Sequence, residues 1–129
     1  MSSALELADS RVSDIEVADG VATIRFSHAY IHKSRGKPGC TPGTGWSQQA
    51  VLVMGEAVVS GPLPPLPNTV SEGFLDVGGI HHELVPLPFK RRVPARLALM
   101  FADGTWVDIS GNRPIIELLG APVYLEEFR

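Results

Sequence analysis

The chain of 129 residues has only one cysteine, Cys40. It can form no internal disulfide, and neither a Cys-rich zinc site nor a CxxC redox pair can be assembled within it. Such low cysteine usage fits a reducing compartment, and the expected location is cytoplasmic. Long hydrophobic runs are also missing. None approaches the roughly 18 apolar residues that a membrane-spanning helix needs. A charged segment followed by an apolar stretch is absent from the start, so no secretory signal is read there. Neither sign of charge dominates: 11 Lys and Arg stand against 14 Asp and Glu, a formal net charge of -3. That field does not favour nucleic acid. Two local basic groups exist, Lys33-Arg35-Lys37 and Lys90-Arg91-Arg92-Arg96, but neither carries interleaved stacking aromatics. They read as solubilising charge beside hydrophobic strands. The expected partners therefore include neither nucleic acid nor membrane.

The chain is 44% hydrophobic and holds 13 glycines and 11 prolines. Its length suits one domain over residues 1–129, with a folded surface of roughly 6,500 to 7,000 Å². The first ten residues read as a frayed end or a short helix. Beyond them, alternation of period two outweighs helical spacing. Residues 12–17 and 21–32 form a hairpin around Asp19-Gly20, a pair that tolerates the positive φ of a type I′ turn. If the second of these strands is regular, Ala22, Ile24, Phe26, His28, Tyr30 and His32 share a face that runs from core to open rim.

Residues 33–45 form a loop crowded with glycine and proline. Residues 46–59 read as a central strand, and 60–68 as an extended, proline-rich crossover. Short strands follow around Gly78-Gly79. A clear hairpin over 92–101 and 105–110 turns at Asp103-Gly104, and Pro94 marks an edge or entry position. Two last strands cover 115–119 and 123–128, with Glu126 and Glu127 guarding a terminal edge. About eight short strands define an all-β fold, an antiparallel β-sandwich or partly open β-barrel.

Catalytic signatures fail on spacing. Lys37 is followed by Pro38 rather than Ser or Thr, so the Gly-rich loop is not a phosphate loop. Gly43-Thr44-Gly45 lacks a third glycine and precedes a strand. His82-Glu83-Leu84-Val85-Pro86 lacks the second histidine of a zinc-protease helix, and no GxSxG elbow exists. The four histidines form two groups. His28 and His32 share a face, but four strand steps separate them by about 13 Å, too far to hold one ion. His81 and His82 point to opposite faces. A metal would need one histidine from each group plus Glu83, Asp76 or Cys40; no metal and no cofactor is expected.

The residues favour binding over catalysis. Tyr30 and Trp46 each join an apolar body to a polar tip. With Gln48, His28 and His82 they make a candidate site for a small polar organic ligand or a protein partner, the 33–45 loop acting as a lid. One alternative is a small hydrolase or isomerase, with His28 or His82 as base and Glu83 or Asp76 as orienting carboxylate. Another is a structural protein that self-associates as a homodimer.

Overall fold

The computed structural model describes residues 1–128. Nine antiparallel strands account for most of the chain: β1 (Ser2–Ala18), β2 (Val21–Ser34), β3 (Gly43–Ser60), β4 (Asn68–Val77), β5 (Ile80–His82), β6 (Leu84–Leu87), β7 (Phe89–Lys90), β8 (Pro94–Phe101) and β9 (Trp106–Phe128). They are ordered β5-β4-β8-β9-β3-β2-β1-β6. Two further pairings curl the sheet on itself. Arg11 and Val12 of β1 pair with Thr69 and Asn68 of β4, and Phe89 and Lys90 of β7 pair with Ile116 and Ile115 of β9. The result is the all-β antiparallel fold expected from the turn spacing, an open β-sandwich or barrel that is not clearly closed. Its surface of 6861 Å² falls in the range that the chain length demands.

The turns form where the sequence places them. Asp19 and Gly20 hold φ of 52° and 76°, the left-handed pair of a type I′ hairpin. Two expectations are corrected. The opening ten residues are neither frayed nor helical, because residues 2–6 pair on one side with β2 and residues 3–6 on the other with β6. The last three strands, 105–110, 115–119 and 123–128, are one: β9 runs from Trp106 to Phe128, with Gly120 at φ 70° bending it without ending it.

The core is a single apolar cluster in which Ile24, Leu52, Leu97, Leu99 and Ile109 are fully buried. Burial of each such side chain contributes about 1.5–3 kcal/mol. Cross-strand partners carry it through the layers: Ile15 faces Ile24, Ile24 faces Leu52, and Leu97 faces both Leu75 and Ile109. Arg96 clamps the outside of the β8–β9 hairpin, its Nε donating to both carboxylate oxygens of Asp108 at 3.0 and 2.9 Å.

Two irregularities decide which side chains leave the core. In β1 the pairing with β2 breaks between Glu6 and Arg11, where Asp9 takes φ 66°. The Ser10 hydroxyl fills the gap, donating to the Glu6 carbonyl at 2.6 Å and accepting from the Tyr30 N–H at 3.0 Å. In β2 the register against β3 shifts between Phe26 and Ala29. Such a bulge inverts the alternation downstream. Ala22, Ile24 and Phe26 are buried before it, and Ala29 and Ile31 after it. The single face expected for Ala22 through His32 is therefore split. Tyr30 and His32 lie on the face opposite Ala29 and Ile31.

Candidate functional site

The outward pair Tyr30 and His32 meets the end of the chain. Strand β3 lies between β2 and β9, placing Gly45 opposite both His32 and Glu126. Glycine there leaves room for larger neighbours; a Cβ would lie 2.5 Å from the Tyr30 hydroxyl. Across this gap the Tyr30 hydroxyl donates to Glu126 Oε1. The His32 ring stacks on Phe128 with centroids 4.8 Å apart and planes 12° apart. Tyr30 itself leans on His32 at 5.1 Å. His32 Nε2 lies 3.4 Å from Glu6 Oε2 and makes no well-formed hydrogen bond among the described residues. Burial, and then the carboxylate of Glu126, push the Tyr30 phenol well above its ordinary pKa.

Over this face folds the loop of residues 35–42. It is tied internally: the Lys37 N–H donates to Thr41 Oγ1 at 3.0 Å, and the Thr41 N–H returns to the Lys37 carbonyl at 2.8 Å. The Ser34 hydroxyl accepts from the Gly36 N–H at 3.1 Å and donates to the Pro42 carbonyl at 3.2 Å, fixing both ends of the loop. Gly39, at φ 84°, brings the backbone against Leu84, where a Cβ would stand 2.5 Å from Leu84 Cδ1.

The loop divides two cavities. One of about 280 Å³ lies between it and the His32–Phe128 stack. The other, about 700 Å³, lies between it and the strands bearing Ala4, His82 and Leu84. Pro38, Gly39 and Cys40 line both. His82 is held below its ordinary pKa, mainly by burial and then by the nearby positive charges of Arg91 and His81, with Asp76 opposing. It therefore presents a neutral imidazole at pH 7. A third cavity of about 550 Å³ has a different lining: Glu6, Glu72, Glu83, Phe74 and Trp106.

The five residues singled out from the sequence do not share one site. His28 and Gln48 line a shallow cavity of about 350 Å³ beside the bend of β9. There the Gln48 amide donates to the Gly120 carbonyl at 2.9 Å. Trp46 lies across from Ile31, so the sheet separates it from Tyr30. Its ring packs against the core, meets Tyr124 edge-on at 5.4 Å and carries Lys33 Nζ at 4.7 Å. Tyr30 belongs to the His32 cluster, and only His82 lines a loop cavity. Register accounts for part of this dispersal: Trp46 pairs with Ile31 and Tyr30 with Ser47, which sets Trp46 and Tyr30 on opposite faces.

The imidazole–carboxylate pair considered for catalysis uses the other member of its histidine group. His81 Nδ1 lies 2.7 Å from Asp76 Oδ1, and His81 Nε2 lies 3.9 Å from Glu83. The first distance suits a base oriented by a carboxylate. His81 is half exposed, packs on Phe74 at 4.7 Å and lines none of the four cavities described above. Among the described residues no group of three or more His, Cys, Asp or Glu side chains comes together to hold a metal ion. Nor is any helix among them long and apolar enough to cross a membrane.

Sequence reasoning missed His32, Glu126 and Phe128. The available signal was the matched spacing of two outward pairs, Tyr30/His32 and Glu126/Phe128. No protein family matches the chain, and neither does any curated protein or solved structure.

Proposed function

We propose that the chain is a non-catalytic binding domain for a small polar organic molecule held beside the 35–42 loop. The observation that carries this reading is the double use of Pro38, Gly39 and Cys40 as the wall of two cavities. The larger cavity, about 700 Å³, lies within the range of about 300–1,000 Å³ that small molecules occupy in protein sites, and the smaller, about 280 Å³, lies at its lower end. The linings supply what such a ligand needs: the flat, stacked His32–Phe128 pair for a ring, and a neutral His82 as donor or acceptor. A neutral imidazole favours hydroxyl or amide groups over carboxylates. The loop is anchored at Ser34 and Pro42 and rests on Leu84.

Native mass spectrometry of the protein purified from its source tests this reading. The expected result is a non-covalent organic adduct that is lost from the His32→Ala and His82→Ala variants. An adduct-free protein that takes up no sugar, nucleoside or amino-acid amide from a panel of these would overturn it.

A further inference from the structure

The two ring nitrogens of His32 have different surroundings. The side chain is 12% exposed and lines the smaller loop cavity. Phe128 lies flat on the ring at 4.8 Å and Tyr30 leans on it at 5.1 Å, so its orientation is fixed. Nε2 is fully buried, and Glu6 Oε2 stands 3.4 Å from it. Nδ1 also lacks a hydrogen-bond partner among the described residues, but it is not shut away from solvent. Resting on the ligand reading given above, we propose that Glu6 fixes the tautomer of His32. The smaller loop cavity consequently selects ring compounds that donate an N–H or O–H hydrogen bond to His32 Nδ1.

A bare Nε2 would set its lone pair against a carboxylate oxygen in a buried place, where repulsion is weakly screened and an unpaired acceptor is costly. An Nε2–H instead points a positive hydrogen at that oxygen. In a neutral imidazole one nitrogen carries the proton and the other accepts, and the partner of one sets the role of the other. Glu6 thus leaves Nδ1 as an acceptor. The other polar side chains of the cavity are already committed. The Ser34 hydroxyl is spent on the Gly36 N–H and the Pro42 carbonyl, and Thr41 Oγ1 accepts from the Lys37 N–H. Lys33 Nζ sits over the Trp46 ring, and the neighbouring Tyr30 hydroxyl is given to Glu126. A ligand here therefore meets an acceptor at His32 and supplies the donor. Glu6 is a positioning residue: it touches His32 and lines a different cavity.

Long-range proton–nitrogen correlation spectra of the full chain at about pH 8, above the ordinary imidazole range, read the tautomer without any ligand. The expected result is a protonated Nε2 and a bare Nδ1. In Glu6→Lys, whose ammonium donates rather than accepts, the proton moves to Nδ1. Matched ring pairs then test the cavity: phenol against anisole, and acetanilide against N-methylacetanilide. The donor of each pair is expected to bind about three- to tenfold more tightly, the worth of one hydrogen bond, and to shift the His32 Nδ1 resonance. A ring protonated on Nδ1 in the unmodified chain overturns the proposal, and so does an unchanged tautomer in folded Glu6→Lys. The unmodified chain and the ring pairs decide the matter if that variant does not fold. Equal affinity within each pair, with Nδ1 unmoved, overturns the proposal and leaves the ligand reading intact. If none of the compounds binds, both fall for this cavity.

Discussion

The His32 imidazole lies flat against the Phe128 ring, 4.8 Å from centroid to centroid, although 95 intervening residues separate them in the chain. The contact closes one wall of the smaller loop cavity and pins the last residues of β9 to β2 across β3. Binding surface and strand anchoring are thus one feature.

Replacing Phe128 with Ala removes that stack and the lean of Tyr30 on the same ring at 6.4 Å. Aromatic pairs contribute about 0.5–1.5 kcal/mol beyond burial. The expected loss is about 1–2 kcal/mol, a fall of roughly 3–8 °C in the thermal midpoint for a chain of this size. Amides of residues 123–128 exchange faster, while those of Leu97 and Leu99 do not. Equal acceleration in the core strands would show that the stack supports the whole barrel.

The Tyr30–Glu126 bond sets an alkaline limit. The phenol's folded pKa is raised above its unfolded value near 10, first by burial and then by Glu126. The stabilisation is therefore complete below about pH 10 and is lost as pH rises towards the folded value. Tyr30→Phe costs about 1 kcal/mol at neutral pH. That difference shrinks above about pH 10, as read by urea unfolding at a series of pH values. A gap constant up to pH 11 would contradict the assigned bond.

His82 sets an acid limit by the opposite sign. Its folded pKa lies below the unfolded value of about 6.5, so the unfolded chain takes up the proton first as pH falls. Stability is full above about pH 6.5 and declines as pH drops towards the lowered value. Thermal midpoints measured from about pH 7 down to pH 5 should fall less in His82→Gln than in the parent chain. Parallel curves would place His82 in ordinary solvent.

Gly39→Val tests how the loop is held. A β-branched side chain at φ 84° costs about 1–3 kcal/mol of local strain, and its Cβ meets Leu84. Amides of 36–41 are expected to exchange faster with the core amides unchanged. An unaltered loop would show that the Leu84 contact does not fix its position.

Much of the fold was legible because turn chemistry is local. Asp19-Gly20 and Asp103-Gly104 each carry their own φ requirement, and the strands around them follow from period two. The β2 bulge was not read from the sequence, because Tyr30 and His32 continue the spacing of Ala22, Ile24, Phe26 and His28 and mask the change of phase to Ala29 and Ile31. The pairing of Arg11 with His28 and Val12 with Phe26, and the shift against β3 between Phe26 and Ala29, show the extra residue. That one residue moved Tyr30 and His32 off the core-facing side. The loop's place in the candidate site was readable from its glycines and prolines. The arrival of Glu126 and Phe128 beside it was not, since it depends on register transmitted through β3, which no local pattern records.

The account rests most on the loop cavities, and two-dimensional amide NMR of the full chain against a panel of small polar ring compounds tests them directly. The predicted result is saturable shifts grouped on His32, Gly39 to Gly43, His82, Leu84 and Phe128. Shifts confined to Glu72, Phe74 and Trp106 of the third cavity, or none with any compound, would contradict it.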